Sequence, residues 1–211
     1  MIKRGAVLDP TATLALLALL SISAVNVSLL QCVLSEAMKL YDALFDVKLL
    51  EGILPKLADG LKIRPLQLND YHCGFLQLLT QLTSVGEVSF DKFKQQFLAM
   101  KNIQPQTYYV IVIEDQNTGD IVGASTLVIE LKFIHEAGCR GRVEDVVVAS
   151  SKRGLKLGAA LNGCLVALAK KLNVYKLSLE CKDSLIGFYE QFGYNVDKGN
   201  NFLVQRFDSK I

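Results

Sequence analysis

The stretch that most constrains this chain runs from Arg140 to Leu172, RGRVEDVVVASSKRGLKLGAALNGCLVALAKKL. It opens as an apolar strand, Val143 to Val148, and crosses a Ser-rich turn to a glycine-punctuated helix start at Arg153-Gly154. A helix follows, with Leu161, Leu165, Leu168 and Leu172 at three- and four-residue spacing. A strand that feeds a glycine-bearing turn and then a helix aims several unbonded backbone amides at one point. The positive end of the helix dipole lies behind them, which makes an anion site. Lys152, Arg153 and Lys156 add charge at its mouth, and a phosphate group is the expected ligand. The same residues also suit an ordinary helix start with a solvated basic turn, and the loop by itself leaves both readings open.

The spacing excludes the common nucleotide loops, since neither GxxxxGK[ST] nor GxGxxG is present. A chain of 211 residues holds one full-sized domain and a tail, or two small domains. With 51% hydrophobic residues and a net charge of +2, a sizeable core is expected and a general nucleic-acid binder is not. Five cysteines (Cys32, Cys73, Cys139, Cys164 and Cys181) are scattered and never form CxxC. They make neither a disulfide framework nor a zinc site, so no metal is expected and a reducing compartment fits.

The first residues read differently. Pro10 to Ser35 contains no charged side chain, and Leu14 to Leu20 is only Leu and Ala, behind Lys3 and Arg4. Residues 11–34 thus resemble a signal peptide or a membrane anchor, although Asn26, Ser28 and Gln31 make a mediocre span. Positive-inside logic for an anchor would place the following domain in a lumen, away from cytosolic metabolites. A third reading starts the functional chain at Met38. The expected division is a hydrophobic extension over 1–37, a lead-in over 38–60 and a catalytic domain over 61–211.

Beyond the lead-in, alternation predicts a strand at Leu61–Arg64 that ends at Pro65. Asn69 or Asp70 caps a helix carrying Phe75, Leu76, Leu79 and Leu82, and Ser89 caps another with Phe93, Phe97 and Met100, ended before Pro105. Tyr108–Ile113 and Ile121–Leu131 form a hairpin around Asn117-Thr118-Gly119. After the opening strand and helix come a strand at Val174–Leu179, a helix at Ser184–Phe192 and a last strand within Phe202–Phe207. The order β-α-α-β-β-β-α-β-α-β is a mixed α/β domain.

Several words along this order carry a resemblance: Leu82 to Gly86 (LTSVG), Ile134-His135, Gly141 to Val148 (GRVEDVVV), Asn173 to Lys176 (NVYK), Leu179 to Cys181 (LEC) and Gly187 to Tyr194 (GFYEQFGY). Arg153 to Gly158 resembles an R/Q-x-x-G-x-G/A pyrophosphate loop, with Lys156 where that pattern has its first glycine. From Leu61 to Phe207 the chain resembles the glucosamine 6-phosphate N-acetyltransferases of the GNAT acyltransferase superfamily. Met38-Lys39, Leu44-Phe45-Asp46 and Leu49-Leu50 are similar to the usual N-terminus of that family, which favours Met38 as the functional start.

The resemblance implies a GNAT fold: a mixed, mostly antiparallel sheet splayed at an acetyl-CoA site and flanked by helices. It implies acetyl transfer from acetyl-CoA to the amine of glucosamine 6-phosphate by direct attack in a ternary complex, as a step in UDP-N-acetylglucosamine synthesis. The cytosol is the implied location, with endomembrane attachment if residues 11–34 serve as an anchor. An intertwined homodimer is also implied, with the last strand crossing to the partner. Val146, Val147 and Val148 would meet the pantetheine arm and thioester, and Arg153, Gly154, Leu155, Lys156, Leu157, Gly158 and Ala159 the pyrophosphate. Around the sugar phosphate would stand Thr83, Lys132, Phe133, Ile134, His135, Glu144, Asp145, Val146, Tyr175, Lys176, Glu180 and Arg206. Lys132, Lys176 and Arg206 are the expected phosphate partners, with His135 assisting. Glu180 or Asp145 would relay the amine proton, and Tyr189 would protonate the departing thiolate.

Neighbours on a strand point to opposite faces, so Glu144 and Asp145 can share a pocket only through a local bulge. Phe188, Phe192 and Tyr194 are expected to pack in the core. Besides Lys156, the chain departs from the family pattern at Ala159, where a lysine is common, at Leu185, where an asparagine is, and at Lys182-Asp183-Ser184. These departures leave open a catalytically weakened relative that binds acyl-CoA or a partner; a GNAT enzyme for another amine is the other alternative.

Overall fold

Five strands form one open sheet in chain order: β1 (Leu61–Pro65), β2 (Tyr108–Asp115), β3 (Ile121–Leu131), β4 (Cys139–Val148) and β5 (Val174–Leu179). The computed structural model describes residues 43–207. Strands β1 to β4 run antiparallel to one another, and β5 lies parallel to β4. The β2–β3 hairpin closes through the Asp115 carbonyl, which accepts from Gly119 N at 2.7 Å, with Gly119 at a φ of +80° that favours glycine.

Among the described residues the sheet is flanked by α1 (Phe75–Leu79), α2 (Phe90–Asn102), α3 (Leu157–Lys171) and α4 (Ile186–Glu190). The apolar stripe of α3, with Leu157, Leu161, Leu165 and Leu168 buried, covers one sheet face. A Cβ added at Gly123 would meet Leu161, which fixes that face. Helices α1 and α2 cover the other, where Phe75, Phe93 and Phe97 line a cavity with Val110, Ala124 and Thr126. Ser89 caps α2 as expected, its Oγ accepting from Lys92 N at 3.3 Å.

The core begins before β1. Leu44, Phe45 and Leu50 are buried in it; Leu44 N donates to Leu66 O at 2.8 Å, and the Phe45 ring meets Tyr109 edge-on at 5.1 Å. Arg64 on β1 is buried and forms two 2.8 Å bonds to the Asp70 carboxylate, while its Nε donates to Glu114 at 2.6 Å.

Several expectations are corrected. The helix after Asn69 is split at Gly74, which takes a φ of +82° between a 3-10 stretch (Leu68–Cys73) and α1. The Asp70 carboxylate accepts from Gln67 N at 2.7 Å, closing the start of the 3-10 stretch rather than that of α1, and also holds Arg64; Leu82 lies beyond α1. The helix expected at Ser184–Phe192 shrinks to α4 behind a 3-10 turn at Asp183–Leu185. The long helix starts at Leu157, three residues after Gly154. No strand forms within Phe202–Phe207. Phe202, Leu203, Val204 and Phe207 are exposed there, and no strand among the described residues pairs with them. Among the described residues no helix is long and apolar enough to cross a membrane. The extension over 1–37, the stretch 11–34 and the start at Met38 lie outside the described residues.

Candidate active site

Strands β4 and β5 are paired from Cys139↔Val174 as far as Val143↔Leu179 and no further. From Glu144 onward, β4 keeps β3 on one side and faces a gap on the other. Peptide groups of Val146, Val147 and Val148 that point away from β3 are therefore available to a ligand lying in that gap. On the β3 side the register jumps from Thr126↔Glu144 to Ala124↔Val147, so Ser125 faces both Asp145 and Val146. Asp145 holds a φ of +53° at this step. This is the bulge that the alternation rule required, because an added residue re-aims the side chains around it. Asp145 lines the cavity beneath α1 and α2 together with Thr126, the direct cross-strand neighbour of Glu144. Loss of water and the adjacent Glu144 charge push the Asp145 carboxyl above the usual aspartate range, although the side chain remains open to the cavity.

At the far end of the gap stands the start of α3. Gly154 and Lys156 both take left-handed backbone, at φ +86° and +56°. Ala160 N is the first helix amide to bond, to Lys156 O at 3.0 Å, which leaves the amides of Leu157, Gly158 and Ala159 without an intrahelical acceptor. A Cβ added at Gly158 would lie 3.7 Å from Phe188 and 4.0 Å from Val148, so this turn is wedged between the β4 arm and α4. Arg153, Leu155 and Lys156 are exposed around it. Lys152 is not part of this charge: its Nζ donates to Asp115 at 2.6 Å and holds that carboxyl below the usual range. A further tie missed by sequence reasoning is Gln81, whose Oε1 accepts from Ser150 N at 3.1 Å and draws the exit of α1, near Thr83, to the end of β4.

The register also sorts the side chains of β3, β4 and β5 by face. Gly141 faces α3, since a Cβ there would meet Leu127 and Leu177. Its neighbours Arg140 and Arg142 therefore lie on the opposite face, with Glu130, Glu144, Lys176 and Ser178 as their register mates or same-face neighbours. The result is a polar platform beside the gap. Arg142 Nη2 donates to Glu180 at 2.7 Å and lies 2.8 Å from Glu144. Arg140 donates to Ser178 Oγ at 3.2 Å and keeps a buried Nε without a partner. Neither arginine was singled out from the sequence, because alternation shows a face but not which strands adjoin it.

The remaining expected residues fall into three groups. His135 and Tyr175 come together, their rings 4.1 Å apart. Lys132 is tied to Glu130 at 2.6 Å, which lowers the Glu130 carboxyl; Phe133 and Ile134 stand exposed at the tip of the β3–β4 connection. Three successive left-handed residues, His135, Glu136 and Ala137, shape that tip. Lys176 and Arg206 are exposed and make no ion pair with a described residue.

Tyr189 is 8% exposed on α4 and lines a cavity of about 790 Å³ with Leu179, Glu180 and Cys181, the last residues of the β5 arm. Burial, and to a lesser degree Cys181, push its phenol up. The core-packing expectation for its neighbours is reversed in degree: Phe188, Phe192 and Tyr194 are half-buried, and Tyr189 is the buried member of the cluster.

Residues 75–194 match the acetyltransferase (GNAT) family. A probable glucosamine 6-phosphate N-acetyltransferase of Drosophila melanogaster is 49% identical over 149 residues, 70% of this chain and 67% of that one. The glucosamine 6-phosphate N-acetyltransferase of Candida albicans is 38% identical over 151 residues, 72% of this chain and 99% of that one. Among solved structures, glucosamine-6-phosphate N-acetyltransferase from Arabidopsis thaliana superposes with a TM-score of 0.65 at 32% identity, covering 70% of this chain and 98% of that one.

Proposed function

Because the chain belongs to the GNAT acetyltransferase family, and within it to the glucosamine 6-phosphate N-acetyltransferases, we propose that it moves the acetyl group of acetyl-CoA to the amine of glucosamine 6-phosphate. The products are N-acetylglucosamine 6-phosphate and CoA, a step toward UDP-N-acetylglucosamine. The observation that carries this reading is the gap between β4 and β5, with free helix amides at one end and a carboxylate-rich platform beside it.

Acetyl-CoA lies along the β4 arm. Backbone groups of Val146, Val147 and Val148 hold the pantetheine and the thioester, and an amide aimed at the carbonyl stabilises the tetrahedral intermediate. The amides of Gly154 to Ala159 and the Arg153 side chain take the pyrophosphate. Lys176 on the platform, with His135 and Tyr175 close by, binds the sugar phosphate together with the Arg206 guanidinium. Lys132 contributes field rather than a free ammonium, since Glu130 already holds it. Thr83, Phe133 and Ile134 close the rim. Glu144 and Glu180 hold the sugar hydroxyls. Asp145, which has no ion-pair partner among the described residues, accepts the ammonium proton and frees the amine to attack. As the carbon–sulfur bond breaks, Tyr189 donates its proton to the thiolate, and the second proton released by the nitrogen as it becomes an amide restores the phenol. Placement of two bound substrates supplies most of the acceleration.

The reading includes a homodimer. The exposed apolar side chains of Phe202, Leu203, Val204 and Phe207 suit a segment that pairs with a second copy. Truncation after Tyr194 is expected to abolish both dimer and activity; an active monomeric truncate would refute this. The catalytic domain, whose core reaches back to Leu44, works on the cytosolic side.

Leu185, exposed where the family has a polar residue, favours a second reading in which the protein binds acyl-CoA with little turnover. Incubation with glucosamine 6-phosphate and acetyl-CoA labelled with carbon-13 at the carbonyl separates the two. A new amide carbonyl signal in the sugar phosphate supports the transferase, and binding without that signal supports the second reading.

A further inference from the structure

Glu144 and Glu180 are the first residues past the last β4–β5 rung, one on each arm of the opening. Two carboxylates at such a fork repel each other and would repel an incoming phosphate. Arg142 stands two residues before Glu144, on the same face of β4, and its register mate on β5 is Ser178, two residues before Glu180. Its Nη2 donates to Glu180 Oε1 at 2.7 Å and forms an ion pair with Glu144 Oε1 at 2.8 Å. A planar, always-charged guanidinium suits this double contact in a way that a lysine ammonium matches only in charge. The second oxygen of each carboxylate is left to accept from another donor. Ser178 on the same face already bonds Arg140, so the neighbouring arginine is occupied elsewhere and does not duplicate the clasp.

We propose that Arg142 is a positioning residue for the sugar acceptor: it clasps Glu144 and Glu180 across the parting strands, fixes their free oxygens toward the sugar hydroxyls and offsets part of the charge that would repel the phosphate. The assignment rests on the acetyltransferase reading above. It also explains a division of labour. Glu144 and Glu180 are tied to Arg142, whereas Asp145, re-aimed by the bulge, is left untied for proton transfer. Arg142 itself touches neither reacting atom.

The test uses the full chain in steady-state transfer from acetyl-CoA to glucosamine 6-phosphate. Arg142→Gln is expected to raise the KM for the sugar phosphate by about tenfold or more, with kcat and the KM for acetyl-CoA within about twofold of the unmodified protein. Arg142→Lys is expected to recover part of the loss. Adding Glu180→Gln to Arg142→Gln is expected to cost less than the product of the two single effects, because the unclasped carboxylate is then neutral. The proposal is overturned if Arg142→Gln leaves the sugar KM unchanged, or if both KM values rise together with a fall in Tm, which marks a structural role only. Absence of transfer by the unmodified protein would instead strike the acetyltransferase reading, so the two failures are distinct.

Discussion

Replacing Tyr189 with phenylalanine removes a single hydroxyl from the buried face of α4. That hydroxyl makes no hydrogen bond to another described residue, so its loss strands no buried partner, and the fold is expected to be unaffected within about 0.5 kcal/mol. Burial pushes its phenol up, so the group is fully protonated at neutral pH and able to donate. General acid catalysis contributes about 10² to 10⁴ in rate, and a thiolate is a stable leaving group, with a thiol pKa of about 8.5, so the lower end applies. The expected loss in kcat is therefore about 100-fold, or about 2.7 kcal/mol, with both KM values within about threefold. Continuous detection of free CoA thiol gives kcat and both KM values, and a thermal melt on the same samples checks the fold. A kcat within about twofold of the unmodified protein would remove Tyr189 from the proton-donating role. A large loss accompanied by a lower Tm would show that the ring packing, not the hydroxyl, was disturbed.

Other perturbations follow from the same geometry. Asp70→Asn breaks the paired charged bonds to buried Arg64, which retains Glu114 and the Pro65 carbonyl; a loss of about 3 kcal/mol is expected, read as a Tm lower by about 6–12 °C. Lys156→Gly relieves a left-handed backbone and is expected to raise stability by about 1 kcal/mol without abolishing acetyl-CoA binding, and a lower Tm would contradict this. The raised Asp145 carboxyl must be ionised to take the amine proton. Activity on glucosamine 6-phosphate is therefore expected to fall as pH drops through a value above the ordinary aspartate range. Asp145→Asn should lower kcat and erase that acid limb, whereas an unchanged profile would exclude Asp145 as the base.

Much of this arrangement was legible in the residues. The runs Ile121–Leu131 and Val174–Leu179 carry enough β-branched and alternating residues to fix strands to the residue, and Leu157, Leu161, Leu165 and Leu168 repeat at helical period. Local conformation reads well because neighbours in sequence determine it. The bulge at Asp145 was visible only as a conflict, two adjacent acids wanted on one side, since one inserted residue leaves no compositional mark. Gly74 breaks a helix that its apolar spacing supports, because left-handed backbone at one residue outweighs a turn of periodicity. The pairings of Lys132 with Glu130, Lys152 with Asp115 and Arg142 with Glu180 depend on which strands adjoin and in which register. The segment from Phe202 to Phe207 is rich in apolar and β-forming residues but has no partner strand among the described residues, and a ladder needs two strands.

The central claim is that the platform and the gap serve a phosphorylated amino sugar. The most direct measurement compares kcat/KM for glucosamine 6-phosphate, glucosamine and a lysine-bearing peptide at one acetyl-CoA concentration. The account predicts transfer to glucosamine 6-phosphate at least about 100-fold more efficient than to glucosamine, because Lys176 and Arg206 have nothing to bind without the phosphate, and no transfer to the peptide. Equal efficiency with and without the phosphate, or transfer to the peptide alone, would contradict it.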